Sequence, residues 1–133
     1  MNIIVIDGQG GGIGKQLITS IKAARPNDSL TAVGTNSAAT GAMLKAGADD
    51  AATGENAVVV NCRNADVIVG PVGIAIADSL MGEITPAMAK AVAQSRAKRI
   101  LLPLNRCNTI IAGVNDLSIG HLVQCVLDEL AHI

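Results

Sequence analysis

The stretch Asp7-Gly8-Gln9-Gly10-Gly11-Gly12-Ile13-Gly14 follows the apolar run Ile3-Ile4-Val5-Ile6 and opens an amphipathic helical pattern. Five of the seven positions from 8 to 14 are glycine. Glycine loses more freedom on folding than any other residue, so this density implies left-handed backbone or very close approach of the main chain to something else. A strand that hands such a loop to a helix N-terminus presents unpaired N–H groups and the positive end of the helix dipole to an anion. The stretch therefore reads as a phosphate-binding turn, with Asp7, Gly8, Gln9, Gly10, Gly11, Gly12, Ile13 and Gly14 around the ligand.

Composition narrows the ligand classes. The 133 residues are expected to form one domain, residues 1–133, and a formal net charge of −1 with 16% charged residues gives no electrostatic grip on nucleic acid or an anionic membrane. Phe, Tyr and Trp are all absent, so there are no aromatic platforms for stacking bases and the core must be aliphatic. No run approaches the roughly 20 apolar residues of a membrane span, and the first residues read as a strand and not as a secretion signal. Cys62, Cys107 and Cys125 have neither paired metal spacing nor a disulfide framework. They read as reduced thiols of a cytoplasmic protein.

Periodicity predicts alternating strands and helices. Ile13, Leu17, Ile18, Ile21 and Ala24 share one helix face, which Pro26 and Asn27 end. A strand at 30–34 leads to the turn Thr35-Asn36-Ser37, a helix over 38–46 and a stop at Gly47. A short strand at 50–52 precedes a helix over 55–63, although Ala57-Val58-Val59-Val60 suits a strand equally well by period. Asp66-Val67-Ile68-Val69-Gly70 is a buried strand that enters a loop over 71–84. Thr85 and Pro86 then start a helix to about residue 97. Strands follow at 100–104 and, shorter, at 109–114, before a final helix striped by Ile119, Leu122, Val123, Val126, Leu127 and Leu130. The pattern predicts an α/β fold: a single Rossmann-like three-layer domain with a mostly parallel sheet.

In such folds ligands bind at the carboxyl ends of the strands, near the point where strand order reverses. The turns there gather the special residues: Asp7-Gly8-Gln9, then Thr35, Asn36 and Ser37, then Gly70, Pro71 and Gly73, then Asn105-Arg106-Cys107-Asn108. The strands at Ile3, Asp66 and Ile100 are expected to be central neighbours of the sheet, so that these turns converge on one crevice. Arg106 is then expected to meet a phosphate or carboxylate, with Asn105 and Asn108 as hydrogen-bond partners.

Three residues are candidates for catalysis. Cys107 stands beside the Arg106 cation, which favours a thiolate, but a base is needed and the two histidines, His121 and His132, belong to the last helix. The plainer reading of Cys107 is a small turn residue. Glu83 would act as a base or bind ribose if its loop folds over the rim. Asp7 is the alternative carboxylate, although at the end of a first strand it commonly orders the glycine loop. His121, Cys125, Asp128 and His132 lie in one arc of the last helix, but they span three turns and read as a solvated face, so no metal is expected. Arg96, Lys98 and Arg99 are explained as cations at a helix C-terminus.

The spacing Gly8-x-x-x-Gly12-Ile13-Gly14 resembles the cofactor loop of short-chain dehydrogenases and reductases over the first strand, loop and helix. Asp7 stands where that family usually has Thr, and without any Tyr its Tyr-dependent hydride transfer is excluded. Thr35-Asn36-Ser37 replaces the acidic residue that usually receives the ribose of NAD; these groups suit a ribose or a 2′-phosphate. A P-loop fits less well, since Gln16 follows Lys15 where Ser or Thr is required.

Over its whole length the chain is similar to a family of small uncharacterised bacterial proteins regarded as Rossmann-like, a domain of unknown function. Stretches that carry the similarity include Ile6 through Gly14, Gly34-Thr35-Asn36, Thr53-Gly54-Glu55-Asn56-Ala57, Gly82-Glu83-Ile84-Thr85-Pro86 and Pro103-Leu104-Asn105-Arg106-Cys107-Asn108. The similarity implies a fold and brings no activity with it.

The expectation is a protein that binds a small phosphate-containing ligand, a nucleotide or dinucleotide with NAD(P) among the candidates, in a sensing, carrier or subunit role. The alternatives are a small enzyme acting on a phosphorylated or carboxylated metabolite, and a structural subunit with a vestigial loop. A homo-oligomer is also expected, because 50% hydrophobic residues exceed what one small domain readily buries.

Overall fold

The structure, a computed structural model, describes residues 1–104, 107–115 and 118–133. Strands β1 (Asn2–Asp7), β2 (Ser29–Gly34), β3 (Asp50–Thr53), β4 (Val67–Pro71) and β5 (Lys98–Leu102) form one sheet in the order β3-β2-β1-β4-β5. Every pairing is parallel. Helices α1 (Gly12–Ala24), α2 (Ser37–Lys45), α3 (Glu55–Arg63), α4 (Pro86–Gln94) and α5 (Ile119–Ala131) cover its two faces.

Alternation along β1 builds two cores. Ile3 and Val5 pack with Leu17, Ile18 and Ile21 of α1, Met43 of α2 and Val126 and Leu130 of α5. Ile4 and Ile6 pack on the other face with Val58 and Cys62 of α3 and Met88 and Val92 of α4. Each fully buried Ile or Leu contributes about 1.5–3 kcal/mol, and these aliphatic layers replace the missing aromatics. With β2 on one side of β1 and β4 on the other, the strand order reverses at β1. The crevice expected for a ligand therefore opens above the carboxyl ends of β1 and β4.

The ambiguous segment 55–63 is helical, with Val58 and Cys62 turned into the second core. Three expectations need correction. Residues 109–114 form no strand: Ile110 is 90% exposed, Gly113 turns with φ 83°, and the segment has no strand beside it to pair with among the described residues. Helix α4 stops at Gln94, short of residue 97, because the Ser95 hydroxyl donates to the Cys62 carbonyl and accepts the Ala97 N–H, drawing the chain out of the helix. Strand β5 adjoins β4, but it is an edge strand among the described residues, not a central one. Lys98 and Arg99 belong to this strand. Arg99 still serves the helix end, donating from Nη1 to the Ser95 carbonyl at 2.8 Å.

Candidate functional site

Asp7, at the end of β1, is 2% exposed and clamps the glycine loop at both ends. Its Oδ1 accepts the Gly8 N–H at 2.8 Å and its Oδ2 the Gly14 N–H at 2.7 Å. Burial is the main influence on this carboxyl and raises its pKa above the ordinary aspartate value; the two N–H groups pull in the opposite direction. The loop turns through Gln9 (φ 51°) and Gly11 (φ 74°), the residue before α1. A side chain at Gly11 would also press on the Ala39 backbone, so this glycine lets the heads of α1 and α2 meet. Gly14 is needed for packing in turn, since a Cβ there would stand 2.5 Å from Met43 Sδ and 2.9 Å from Asp7 Cβ.

Gly10 and Gly12 differ. A Cβ on either would meet nothing within 4 Å. The N–H groups of Gly10, Gly12 and Ile13 donate to no acceptor among the described residues. They border a cavity of about 240 Å³ lined by residues 7–13 with Gln16 and Ile119. Open backbone donors at the head of a 13-residue helix are an arrangement that favours an anion.

The turn after β2 is tied to this loop. Asn36 caps α2 through Oδ1, which accepts the Ala39 N–H, while its Nδ2 donates to the Gln9 carbonyl at 2.9 Å and to Glu83 Oε1 at 2.7 Å. The Thr35 hydroxyl donates to the same Oε1 at 2.7 Å and the Gln9 N–H at 3.0 Å. Ser37, the first residue of α2, is exposed. Glu83 is thus brought over the rim, as the sequence allowed only conditionally. The Thr35 hydrogen bond is the main reason its carboxyl lies below the ordinary glutamate value.

Glu83 arrives on a strap, residues 76–85, that follows a single 3-10 turn, Val72–Ala75. The strap is bonded to itself, with the Asp78 N–H on the Ile84 carbonyl and the Ile84 N–H on the Ser79 carbonyl. The buried Ser79 hydroxyl donates to the Gly73 carbonyl, and Leu80 lies directly on Gly8. Gly70, Pro71 and Gly73 are buried, Gly70 against Ile6 and Ile74 and Gly73 under Ser79. No sequence signal marked Leu80 or the Gln9 N–H as part of this arrangement.

Cys107 is exposed, with φ 47°, and its carbonyl accepts the Thr109 hydroxyl. Asn105 and Arg106 lie outside the described residues. All three cysteines are free, and burial pushes the Cys62 thiol up to about 11. His121, Cys125, Asp128 and His132 bond locally along α5 and its C-terminal end: Cys125 Sγ lies 3.5 Å from His121 Nε2, the Asp128 carboxylate accepts from Gln124 Nε2, and His132 Nδ1 lies 2.6 Å from the Asp128 carbonyl. Among the described residues no three His, Cys, Asp or Glu side chains gather as metal ligands, and no helix is long and apolar enough to cross a membrane.

No curated protein matches the chain. Among solved structures, a dodecameric FMN-dependent UbiX-like decarboxylase from Escherichia coli O157:H7 is similar, with a TM-score of 0.50, 16% identity, and coverage of 98% of this chain and 94% of that chain. At that identity the likeness is one of fold. The model of a domain of unknown function, DUF3842, matches residues 2–133, and the chain accordingly belongs to the DUF3842 family.

Proposed function

We propose that this protein binds a nucleotide-type ligand, with a phosphate on the N–H groups of Gly10, Gly12 and Ile13. The observation that carries this reading is those three unpaired donors at the head of α1, facing open space that only two glycines leave free. The rest of the rim, Gln9, Thr35 and Asn36 among it, would receive the sugar or a further phosphate. The similar fold of an FMN-dependent enzyme accords with a nucleotide-derived cofactor of some kind, NAD(P) or a flavin nucleotide.

The geometry favours binding over independent catalysis. Both oxygens of Asp7 are engaged by backbone, so its carboxyl holds the loop and does not face the open rim. Native mass spectrometry of freshly purified protein should reveal a mass increment matching a nucleotide. Gly12→Val, whose side chain would fill the phosphate position, should abolish that increment and leave the melting temperature nearly unchanged. An undiminished increment in the variant would remove the loop from the binding site.

A homo-oligomer belongs to the same proposal, since Ile110 is 90% exposed and the protein of similar fold is a dodecamer. Light scattering that returned a monomer mass at micromolar concentration would refute it.

A further inference from the structure

Three donors from two turns converge on one oxygen: the Gln9 N–H, the Thr35 hydroxyl and the Asn36 amide all reach Glu83 Oε1 within 3.0 Å. Such a cradle is suited to an oxygen of a phosphate or carboxylate. Here the chain's own carboxylate fills it. Glu83 is carried by the tip of the strap, residues 80–83, where Leu80, Met81 and Gly82 stand in succession at φ 56°, 55° and 90°. Left-handed backbone is unfavourable for Leu and Met, so the closed tip is a strained conformation held by its contacts. Leu80, 6% exposed, is anchored in the second core and lies on Gly8, and Ser79 and Ile84 anchor the strap on either side. Beyond Leu80, Met81 is 96% exposed, and the Glu83 side chain in the cradle is what ties the outer part of the tip to the rim.

The closed tip also limits the space. The cavity of about 240 Å³ at the head of α1 suits a phosphate. Ligand pockets for whole small molecules run from about 300 to 1,000 Å³. The direction in which a nucleotide would extend, across Gly8 toward the turn after β2, is the one that Leu80 and Glu83 cover.

We propose that the outer part of the tip, residues 81–83, is a gate over a second anion subsite, formed by the Gln9 N–H, Thr35 and Asn36, and that Glu83 is its resident occupant until a ligand's second phosphate displaces it. The inference rests on the nucleotide reading of the glycine loop and adds the class of ligand: a nucleotide bearing two separated phosphates. Two anions cannot share the cradle, so closure and full binding exclude one another. The apparent affinity of such a ligand is reduced by the fraction of molecules that are open.

Adenosine 2′,5′-bisphosphate and AMP serve as probes, with calorimetry on the parent, Glu83→Ala and Glu83→Gln. Glu83→Ala should bind the bisphosphate about tenfold or more tightly than the parent does, the gain expected if open molecules are about a tenth of the total or fewer. AMP should gain less. In the parent, saturation with the bisphosphate should speed amide exchange at Gly82 and Glu83. Glu83→Gln removes the charge with little change of shape and should fall between the two; it carries the test if the alanine variant folds poorly. Equal affinity in parent and variants, or unchanged exchange at the tip, would overturn the gate. Weaker binding by the variants would make Glu83 a direct ligand contact, overturning the gate while sparing the nucleotide reading. Failure of every form to bind either probe would overturn both.

Discussion

Gly70→Ala is expected to destabilise the protein by about 3 kcal/mol or more, at the upper end of what overpacking costs. The new Cβ would overlap the carbonyl oxygen of Ile6 and come within 2.9 Å of Ile74 Cδ1. Ile6 cannot retreat. It lies on β1, which is paired to β2 on one side and to β4 on the other, and its own side chain is fully buried. Thermal melting should show a fall on the order of 10 °C for a chain of this size. A change of less than about 1 kcal/mol would mean that β4 and β1 do not approach as described.

Asp7→Ala is expected to cost about 2–4 kcal/mol and to loosen the glycine loop. Hydrogen bonds to a charged group are worth roughly 1.5–3 kcal/mol each, and two are lost, but the relief of a buried charge offsets part of the sum. Asp7→Asn keeps one acceptor and turns its NH2 toward a backbone donor, so it should lie between parent and alanine. Acidity offers a further check. Burial raises the folded pKa of Asp7, so the fold binds its proton more tightly than the unfolded chain does. The stability this contributes is fully present below the ordinary aspartate value and is lost as pH rises through the raised folded value. The asparagine variant lacks this titration. Its penalty relative to the parent should therefore be largest in acid and shrink as pH climbs through that window. Melts of parent and variant across the range would measure it, and a penalty that grew with pH would contradict the assignment.

The parts of the fold legible in the sequence were those fixed by short-range pattern. β1, α1 and α5 follow from apolar runs and stripes, and the Thr85-Pro86 start of α4 from capping chemistry. The segment 109–114 misled because Ile110 and Ile111 have strand propensity, whereas a strand also requires a neighbour to pair with. The glycine loop was legible as a group but not residue by residue. Gly8, Gly11 and Gly14 are required by packing, and only Gly10 and Gly12 face open space, a division set by Met43, Ala39 and Leu80 from elsewhere in the chain.

The strap was the least legible element. Its left-handed residues Asp78, Leu80 and Met81 are not glycine, so nothing local announced the turn. The bonds that place Glu83 reach back 47 residues or more along the chain, to Asn36, Thr35 and Gln9. Its role at the rim could be stated only as a condition on the path of the loop. Arg106, by contrast, was expected from its position after a strand, and it lies outside the described residues.

Nucleotide binding at the rim depends on the free backbone donors at the head of α1. Titrating 15N-labelled protein with adenosine 2′,5′-bisphosphate, or with whatever nucleotide the purified protein releases, and following the amide resonances examines those donors one by one. Saturable downfield shifts of the Gly10, Gly12 and Ile13 amide protons are expected, larger than those of amides already bonded within α1. Saturable binding that left these three amides unmoved would contradict binding at these donors.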